Sequence, residues 1–251
     1  AKSDAIGQLM KGTLKLNQDQ TWEAMISAQG SSKATWTKAV DIMSHMALLR
    51  NLRNFQTHGV PTTEYLDKLR ATAAKGQQLP FRYVSAYNAL DGNAPAVVRD
   101  AVEECLELSM GMLPKFSGRV MSLCDNSGSA QNTMTSSLGS MKISTIANLT
   151  ACLTARQADE GHVGVFGDRL KSFSVQKKSS LFAELKTVET LARDIGTGTE
   201  HGIWMFWDKA IREQEHWDHV FVYSDMQAGH GGLYGDPKKY PNYQWQGRQY
   251  I

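Results

Sequence analysis

Apolar residues recur every three or four positions through the first 114 residues, in segments separated by short polar breaks. This spacing places apolar side chains on one face of an α-helix. Pro61 and Pro95 fall where helices would begin, which suits the fixed φ angle and missing amide hydrogen of proline. The pattern predicts successive helices with short connections, as in a helical hairpin array. The segments are QTWEAMISA, TWTKAVDIMSHMALLRNLRNF, TEYLDKLRATAAK, PFRYVSAYNAL and APAVVRDAVEECLELSMGML.

The pattern changes after residue 114, where short apolar runs bounded by turn residues alternate with helical segments. The runs RVMSLCD, HVGVFG, KSFSV and HVFVYSD are too short for helices, and STIANLTACLTARQ and SLFAELKTVETLARDIG lie among them. Strands that alternate with helices favour a mostly parallel sheet with helices on both faces. We therefore predict two domains, an all-α domain at 1–114 and an α/β domain at 115–251.

Candidate metal ligands follow two of the predicted strands. Asp125 and Asp225 lie at carboxyl ends of strands, where ligands bind in parallel sheets. Ser127 and Ser129 follow Asp125 at two-residue intervals, and the loop GTGTEHG adds Thr199. A carboxylate with hydroxyl groups is a set of hard oxygen ligands that suits Mg²⁺ or Mn²⁺. The alternative is a simple helix cap, because Asp and Ser commonly precede helices.

The D-N-S-G-S loop, together with the later threonine and aspartate loops, resembles the metal-ion-dependent adhesion site of von Willebrand factor type A domains. The resemblance implies a divalent cation, Mg²⁺ in preference to Mn²⁺ or Ca²⁺. It implies that Asp125, Ser127 and Ser129 ligate the ion, with Thr199 and Asp225 acting directly or through water. Thr197 is the alternative threonine. The G-T-E at Thr199 is closer to the G-T-D of that family.

The helical half of the sequence points to a more specific family resemblance. TWTKAVDIMSHMALLRNLRNFQTHGV, followed by QQLPFRYVSAYNAL, resembles the Ro ribonucleoprotein family, also called the TROVE family. Members pair a ring of HEAT-like helical repeats with a type A domain, so the resemblance implies a multi-domain fold. Its parts are all-α HEAT-like repeats and a doubly wound, Rossmann-like α/β domain. Too few helices precede Lys115 to close a ring, and further strand–helix units are expected after YSDMQAG, so we expect a fragment or an incompletely covered member of the family.

The net charge of +2 conceals a segregation of charge within the helical half. Residues 33–82 carry eight basic and three acidic side chains, whereas residues 83–114 carry one basic and five acidic ones. A local basic surface of this kind can bind phosphate groups with salt-sensitive affinity. The alternatives are a solvated helix face or arginines that pack between helices. The candidate RNA contacts are Lys38, Arg50, Arg53, Lys68 and Arg70.

The resemblance implies a non-catalytic protein that binds small noncoding and misfolded RNAs in ribonucleoprotein assembly or RNA quality control. An acidic group of a protein ligand is a further candidate partner at the cation. Two alternatives come from other classes: a cation-dependent protein-interaction module with a helical scaffold, and a metal-dependent hydrolase. The sequence shows no convincing nucleophile–base pair or phosphate-cradling glycine loop, which favours a binding protein.

The cysteines and the apolar runs of the sequence indicate where the protein resides. Three widely separated cysteines without a CxxC or Cys/His cluster indicate neither a disulfide framework nor a structural zinc site. This cysteine usage favours a reducing, cytoplasmic location. The sequence contains no apolar run of membrane-spanning length and no signal-peptide core at its start, so we expect no membrane partner.

Overall fold

The structure is a computed structural model that describes residues 5–13, 21–132, 141–198 and 202–225. The chain divides into two compact units, Ala1–Gly111 and Met112–Ile251. In the described residues, the first unit consists of helices and the second combines strands with helices. The predicted combination of a helical part with an α/β part is therefore confirmed.

The helical unit closely follows the predicted segments. Pro61 and Pro95 immediately precede the sixth and eighth helices, and Pro80 opens the seventh, as the restricted φ angle of proline favours. The described helices are α1 Ala5–Met10, α2 Trp22–Gln29, α3 Lys33–Ile42, α4 His45–Arg50, α5 Leu52–Thr57, α6 Thr62–Ala73, α7 Pro80–Ala89 and α8 Ala96–Met110.

The longest predicted helical segment, residues 35–55, divides into parts of α3, α4 and α5. Met43 has an extended backbone, with φ −71° and ψ 135°, and ends α3. The Ser44 hydroxyl then accepts a hydrogen bond from the Ala47 amide and caps α4. Such capping satisfies an amide that has no partner within the helix. The apolar period continues across the break, so periodicity alone did not reveal it.

The core of the helical unit forms where α4 packs on α6 and α7, and where α6 and α7 pack on α8. Its large side chains are fully buried, which removes much apolar surface from water. A polar contact lies inside this core: the two ring nitrogens of His45 hydrogen bond with Thr72 Oγ1 at 3.0 Å and Tyr83 Oη at 2.8 Å. The largest buried side chains of the unit are Phe55, Tyr65, Tyr83, Leu48, Leu52, Leu69 and Leu106.

The α/β unit is built on a four-stranded sheet in the described residues, with strand order β3-β2-β1-β4. Strand β1 pairs in parallel with both β2 and β4, whereas β2 and β3 form an antiparallel pair. The sheet is thus mixed but mostly parallel, as predicted. Its strands are β1 Phe116–Asp125, β2 Ala158–Phe166, β3 Leu170–Ser174 and β4 His219–Tyr223. Its described helices are α9 Gly128–Asn132, α10 Ile143–Arg156, α11 Leu181–Ala192 and α12 Gly202–Arg212.

Helices cover both faces of the central strand β1. Met121 and Leu123 form a core with Phe206 and Ala210 of α12. The alternating side chains of β1 point the other way, where α10 packs on the strand. The chain leaves β1 toward β2 on one side and later returns to β4 on the other side. The carboxyl ends of β1 and β4 therefore form a topological switch point, the usual place for a ligand in such sheets.

Two further expectations concern cysteines and membranes. Cys105, Cys124 and Cys152 are all buried and free of disulfide bonds. Burial raises the pKa of the Cys105 thiol to about 12, so this group stays neutral. Among the helices that the structure describes, none is long and apolar enough to cross a bilayer.

Candidate cation site and basic groove

Asp125, at the end of β1, is the centre of the first candidate site. Its side chain is fully buried. Oδ1 accepts a hydrogen bond from the Ser127 amide at 2.9 Å, and Oδ2 accepts one from the Ser224 hydroxyl at 2.7 Å. Ser224 follows β4, so the ends of the two strands at the switch point are joined through this carboxylate.

The two serines of the D-N-S-G-S loop lie beside Asp125 and face each other. The Ser127 and Ser129 hydroxyl oxygens are 3.2 Å apart, with Ser127 buried and Ser129 half-buried. Ser129 belongs to α9, which begins at Gly128, within the D-N-S-G-S sequence. The structure thus brings together three of the residues predicted as metal ligands, as a compact set of oxygen atoms.

A buried amide pair holds this loop against α10. Asn126 Nδ2 donates to Asn148 Oδ1 at 2.6 Å, and Asn148 Nδ2 donates to Asn126 Oδ1 at 3.0 Å. The backbone amide of Asn126 also donates to the Phe166 carbonyl of β2 at 2.9 Å. Because both side-chain amides are buried and paired, the loop has little freedom to move.

The glycine–threonine loop reaches the same edge of the sheet. The Gly128 amide donates to the Thr197 carbonyl at 2.7 Å. A β-carbon at Gly128 would lie 3.3 Å from that oxygen, so the close approach favours glycine. The Thr197 amide donates to Asp168 Oδ2 at 3.0 Å, which fixes the loop from the other side. Thr197 therefore lies next to the D-N-S-G-S loop, while Thr199 lies outside the described residues.

The charge and chemistry of this site suit a hard cation. In the described part of the chain, no basic side chain pairs with the buried Asp125 carboxylate. A buried carboxylate without a counter-charge is costly, and a bound cation would offset that cost. Asp225 follows Ser224 and is half-buried at the same edge. No group of three His, Cys, Asp or Glu residues suited to a metal occurs among the described residues, so the oxygen set here depends on hydroxyls.

Burial also determines the state of the neighbouring thiol. Burial raises the pKa of Cys124 far above its ordinary value, and the adjacent Asp125 charge raises it further. Cys124 is therefore a neutral thiol next to the loop and not a thiolate ligand. The donors that can face a cation here are carboxylate and hydroxyl oxygens.

The second candidate site is a groove in the helical unit between α4–α5 and α7. Three arginines line it: Arg50, Arg53 and Arg82. All three are exposed, and none pairs with an acidic side chain in the described residues. Asn54 and Ser85 add polar groups. The groove also has apolar lining from Met46, Leu49, Leu52, Ala86 and Ala89.

The arginines are positioned by ordinary helix geometry. Arg50 and Arg53 are three positions apart and extend from the side of the chain opposite to buried Leu48 and Phe55. Asn51 is buried between them, where its Nδ2 donates to the Ala47 carbonyl at 2.9 Å. Asn51 also accepts from Asn54 Nδ2 at 2.8 Å. The groove therefore has a fixed polar base beneath side chains that reach into solvent.

The other predicted RNA contacts lie outside this groove. Lys38 is exposed on α3. Lys68 Nζ donates to the Val40 and Asp41 carbonyls, both at 2.7 Å, at the end of α3. Arg70 pairs with Glu104 of α8. Lys68 and Arg70 thus serve contacts within the helical unit, which favours the packing alternative for these two residues.

Two functional candidates were missed at the sequence level. Arg82 lines the groove but is not among the predicted RNA contacts, although its place at the start of α7 after Pro80 signals an exposed helix face. Ser224 is not among the predicted ligands, yet its hydroxyl donates a hydrogen bond to Asp125. A serine directly after a strand at the switch point was the available signal.

Comparison with known proteins places these sites in a family. The TROVE domain model matches residues 4–158, more than half of the chain. Telomerase protein component 1 of Rattus norvegicus is 31% identical over 85 residues, covering 31% of this chain and 3% of that protein. The crystal structure of the Ro (Rsr) protein of Deinococcus radiodurans has a TM-score of 0.57 at 18% identity. That match covers 94% of this chain and 50% of that chain.

The shares of length show that this chain spans half of the Ro structure that it matches and a small part of the telomerase component. At 18% identity, the structural match shows a shared fold. The domain model, by contrast, covers the helical unit and the first strand together with the D-N-S-G-S loop and α10. The chain is a member of the TROVE domain family, as the sequence resemblance to Ro proteins predicted.

Proposed function

We propose that this chain is an RNA-binding part of a Ro-type ribonucleoprotein, and that the basic groove holds RNA phosphates. The observation that carries the proposal is the groove itself, with three exposed arginines that have no acidic partner in the described residues. Guanidinium groups bind phosphate oxygens through two parallel hydrogen bonds. Family membership supports RNA as the source of those phosphates. The proposed partners are small noncoding and misfolded RNAs.

The groove suits a nucleic-acid strand better than an isolated phosphate. Its cations lie along two helical segments, and its apolar lining can contact a ribose or a base face. Asn54 can add a hydrogen bond beside the guanidinium groups. Lys38 remains a proposed outlying contact, because it is exposed on a neighbouring helix. We leave Lys68 and Arg70 out of the proposed groove because their side chains bond within the unit.

The test measures RNA affinity across a range of salt concentrations with the 251-residue chain. The triple variant Arg50→Ala/Arg53→Ala/Arg82→Ala should bind a fluorescent small RNA with a single-stranded end at least tenfold more weakly. Its plot of log affinity against log salt should be shallower by about 2, because three phosphate contacts are lost at about 0.7 each. Arg50→Ala and Arg53→Ala should each lose part of this affinity.

The matched control removes three exposed positive charges elsewhere, in Lys75→Ala/Lys177→Ala/Lys178→Ala. It should retain most of the affinity and the salt slope, although the net charge falls equally. Equal losses in the two triple variants would show that total charge, not the groove, attracts RNA. Sequencing of RNA that copurifies with the longest available form of the protein gives a second check, and the absence of enriched small RNA would contradict the proposal.

We further propose that the α/β unit is a von Willebrand factor type A domain whose switch point holds a divalent cation, Mg²⁺ first. Asp125, Ser127 and Ser129 would hold it, with Asp225 and Thr199 or Thr197 completing the set. The buried Asp125 carboxylate without a described basic partner supports this assignment. When bound, such a cation supplies a Lewis-acidic position for an acidic group of a protein or nucleic acid.

Calorimetric titration with Mg²⁺ tests the cation proposal directly. Wild type should bind one ion, and Asp125→Asn should lose the binding heat, whereas Asp41→Asn, at an exposed position of α3, should keep it. At 100 times the dissociation constant, Mg²⁺ should stabilise the folded α/β unit by about 2.7 kcal/mol. Absence of binding heat and of stabilisation in wild type would contradict the cation site.

The same variant separates the alternative functions. If Asp125→Asn loses Mg²⁺ but keeps RNA affinity, the cation serves a different partner, as the protein-interaction alternative requires. RNA incubated with the protein and Mg²⁺ should remain intact, because we propose binding without turnover. Cleavage that depends on Asp125 would favour the metal-dependent hydrolase instead.

A further inference from the structure

A second cavity lies in the helical unit and shares helix α5 with the basic groove. It has a volume of about 390 Å³ and lies between the end of α5, the start of α6 and the loop that joins α7 to α8. The residues that line it include Gln56, Thr57, Asp91 and Asn93. A volume of this size is in the range of small-molecule sites.

The side chain of Gln56 is unusual within this cavity. Its Nε2 and Oε1 atoms are both screened from solvent, and neither has a hydrogen-bond partner among the described residues. A buried amide with an unsatisfied donor and acceptor carries a free-energy cost. Glutamine is long and unbranched, so rotation about its side-chain angles can turn the amide toward a group that enters the cavity. A ligand with an adjacent donor and acceptor would remove that cost.

The charge of the cavity argues against phosphate as this ligand. Its lining includes no lysine or arginine, and Asp91 contributes a negative charge. Asp91 Oδ1 already accepts a hydrogen bond from the Asn93 amide at 3.0 Å, which holds the carboxylate in the loop. A neutral, flat group that donates to a carboxylate and pairs with an amide fits this set. The edge of a nucleobase has that chemistry.

The cavity and the groove share helix α5. Arg53 and Asn54 line the groove, and Gln56 and Thr57 line the cavity. Arg53 and Gln56 are three residues apart, which is a helical rise of about 4.5 Å. A single RNA strand can therefore have a phosphate on the arginines and a neighbouring base in the cavity.

We propose that the cavity binds an unpaired base of the RNA strand whose phosphates occupy the groove, and that the Gln56 amide selects adenine. This inference rests on the proposed RNA-binding function. Glutamine pairs with adenine by accepting from its amino group and donating to a ring nitrogen. Asp91 can accept the second amino hydrogen of the same base. The apolar walls that Val60 and Pro95 provide can contact the face of the ring.

The test compares uridine heptanucleotides that carry a single central A, C or G, with binding measured by fluorescence anisotropy. Wild type should bind the adenine-containing strand at least about fivefold more tightly than the all-uridine strand. Gln56→Leu should lose this preference while keeping the affinity and salt slope for the all-uridine strand. Gln29→Leu, at an exposed position of α2, is the matched control and should keep the preference.

Asp91→Ala is a second variant, at an exposed loop position, for the case in which Gln56→Leu fails to fold. It removes the carboxylate that accepts the second amino hydrogen, so it should reduce the adenine preference. Failure of the RNA-binding proposal has a different result, since all four strands would then bind equally to wild type and to the triple arginine variant. The inference is overturned if wild type does not discriminate among the strands. It is also overturned if the folded Gln56→Leu variant, or Asp91→Ala in its place, retains the full preference.

Discussion

The two candidate sites differ in how their polar groups are used before any ligand binds. At the candidate cation site, Asp125, Asn126 and Ser127 are buried and bonded to one another or to neighbouring strands. In the basic groove, Arg50, Arg53 and Arg82 are exposed and have no acidic partner in the described residues. The polar groups of the candidate cation site are thus already used in contacts within the protein, whereas the arginines of the groove extend into solvent.

This difference has consequences for recognition and for mutation. A site whose ligands are held by internal bonds has a fixed geometry, which a small cation with strict coordination requires. Exposed arginines can adapt to a strand of variable shape, as RNA binding needs. Stability and binding should therefore be coupled at the cation site and separable in the groove.

The largest expected effect is at Asn148, which supports the D-N-S-G-S loop without being a proposed ligand. Asn148→Ala leaves the buried Asn126 amide without its two side-chain bonds to α10. Unsatisfied buried polar groups cost about 1–3 kcal/mol each, so we expect a loss of about 3 kcal/mol in the free energy of unfolding of the α/β unit. Urea denaturation followed by far-ultraviolet circular dichroism measures this loss.

Asn88→Ala is the matched control for that experiment, because Asn88 is exposed on α7. It should change the unfolding free energy by less than about 0.5 kcal/mol. A similarly small change for Asn148→Ala would show that the loop does not depend on the amide pair. The proposed coupling of stability and binding at the cation site would then be wrong.

Much of this contrast could be predicted from the sequence, but unevenly. The strand runs, the strand-end position of Asp125 and the spacing of Ser127 and Ser129 are local features, so the first loop was placed correctly. The bond from Ser224 to Asp125 joins positions far apart in the chain. The register of β4 beside β1 determines that the Ser224 hydroxyl reaches Asp125. A single sequence does not specify this register.

In the helical unit, the periodicity predicted which arginines lie outside the apolar face of a helix. It did not distinguish basic side chains exposed to solvent from those hydrogen bonded within the unit. Lys68 and Arg53 both appear as basic residues on amphipathic helices. Only the packing of α6 beside the end of α3 reveals that Lys68 Nζ meets two carbonyls. The role proposed for Gln56 was likewise not predictable from the sequence, because its lack of hydrogen-bond partners depends on which residues surround it in the fold.

The next effect in size separates these two kinds of cation. Lys68→Met keeps an unbranched side chain but removes the charged donor from the Val40 and Asp41 carbonyls at the end of α3, where the Met43 amide still bonds to the Ala39 and Val40 carbonyls. Hydrogen bonds to a charged donor contribute about 1.5–3 kcal/mol. Because Lys68 is partly exposed, we expect a loss of about 1 kcal/mol and faster amide hydrogen exchange at the end of α3.

Arg53→Ala and Lys75→Met are the comparisons for Lys68→Met. Both side chains are exposed, so both variants should leave exchange in α3 unchanged, while Arg53→Ala should weaken RNA binding. If Arg53→Ala destabilises the unit as much as Lys68→Met does, the groove is also part of the scaffold. Binding and stability would then not be separable there.

The smallest effect concerns the buried histidine in the core of the helical unit. Burial lowers the pKa of His45 below its usual 6.5, and a hydrogen bond that the ring donates to the Leu69 backbone carbonyl opposes this shift. The unfolded chain therefore binds a proton more readily than the folded unit does. The resulting stability is present above pH 6.5 and is lost as the pH falls through the folded-state pKa.

Removing the titrating ring should remove this part of the pH dependence. His45→Gln keeps a hydrogen-bonding group near Thr72 and Tyr83, and its unfolding free energy should decline less than that of wild type as the pH falls below 6.5. His216→Gln, in which the replaced side chain is 84% exposed, should follow the wild-type curve. Urea midpoints measured at several pH values give the comparison. A His45→Gln curve parallel to wild type would show that His45 titrates equally in the folded and unfolded states. The core of the helical unit would then accommodate a protonated His45, which is contrary to the expected effect of burial.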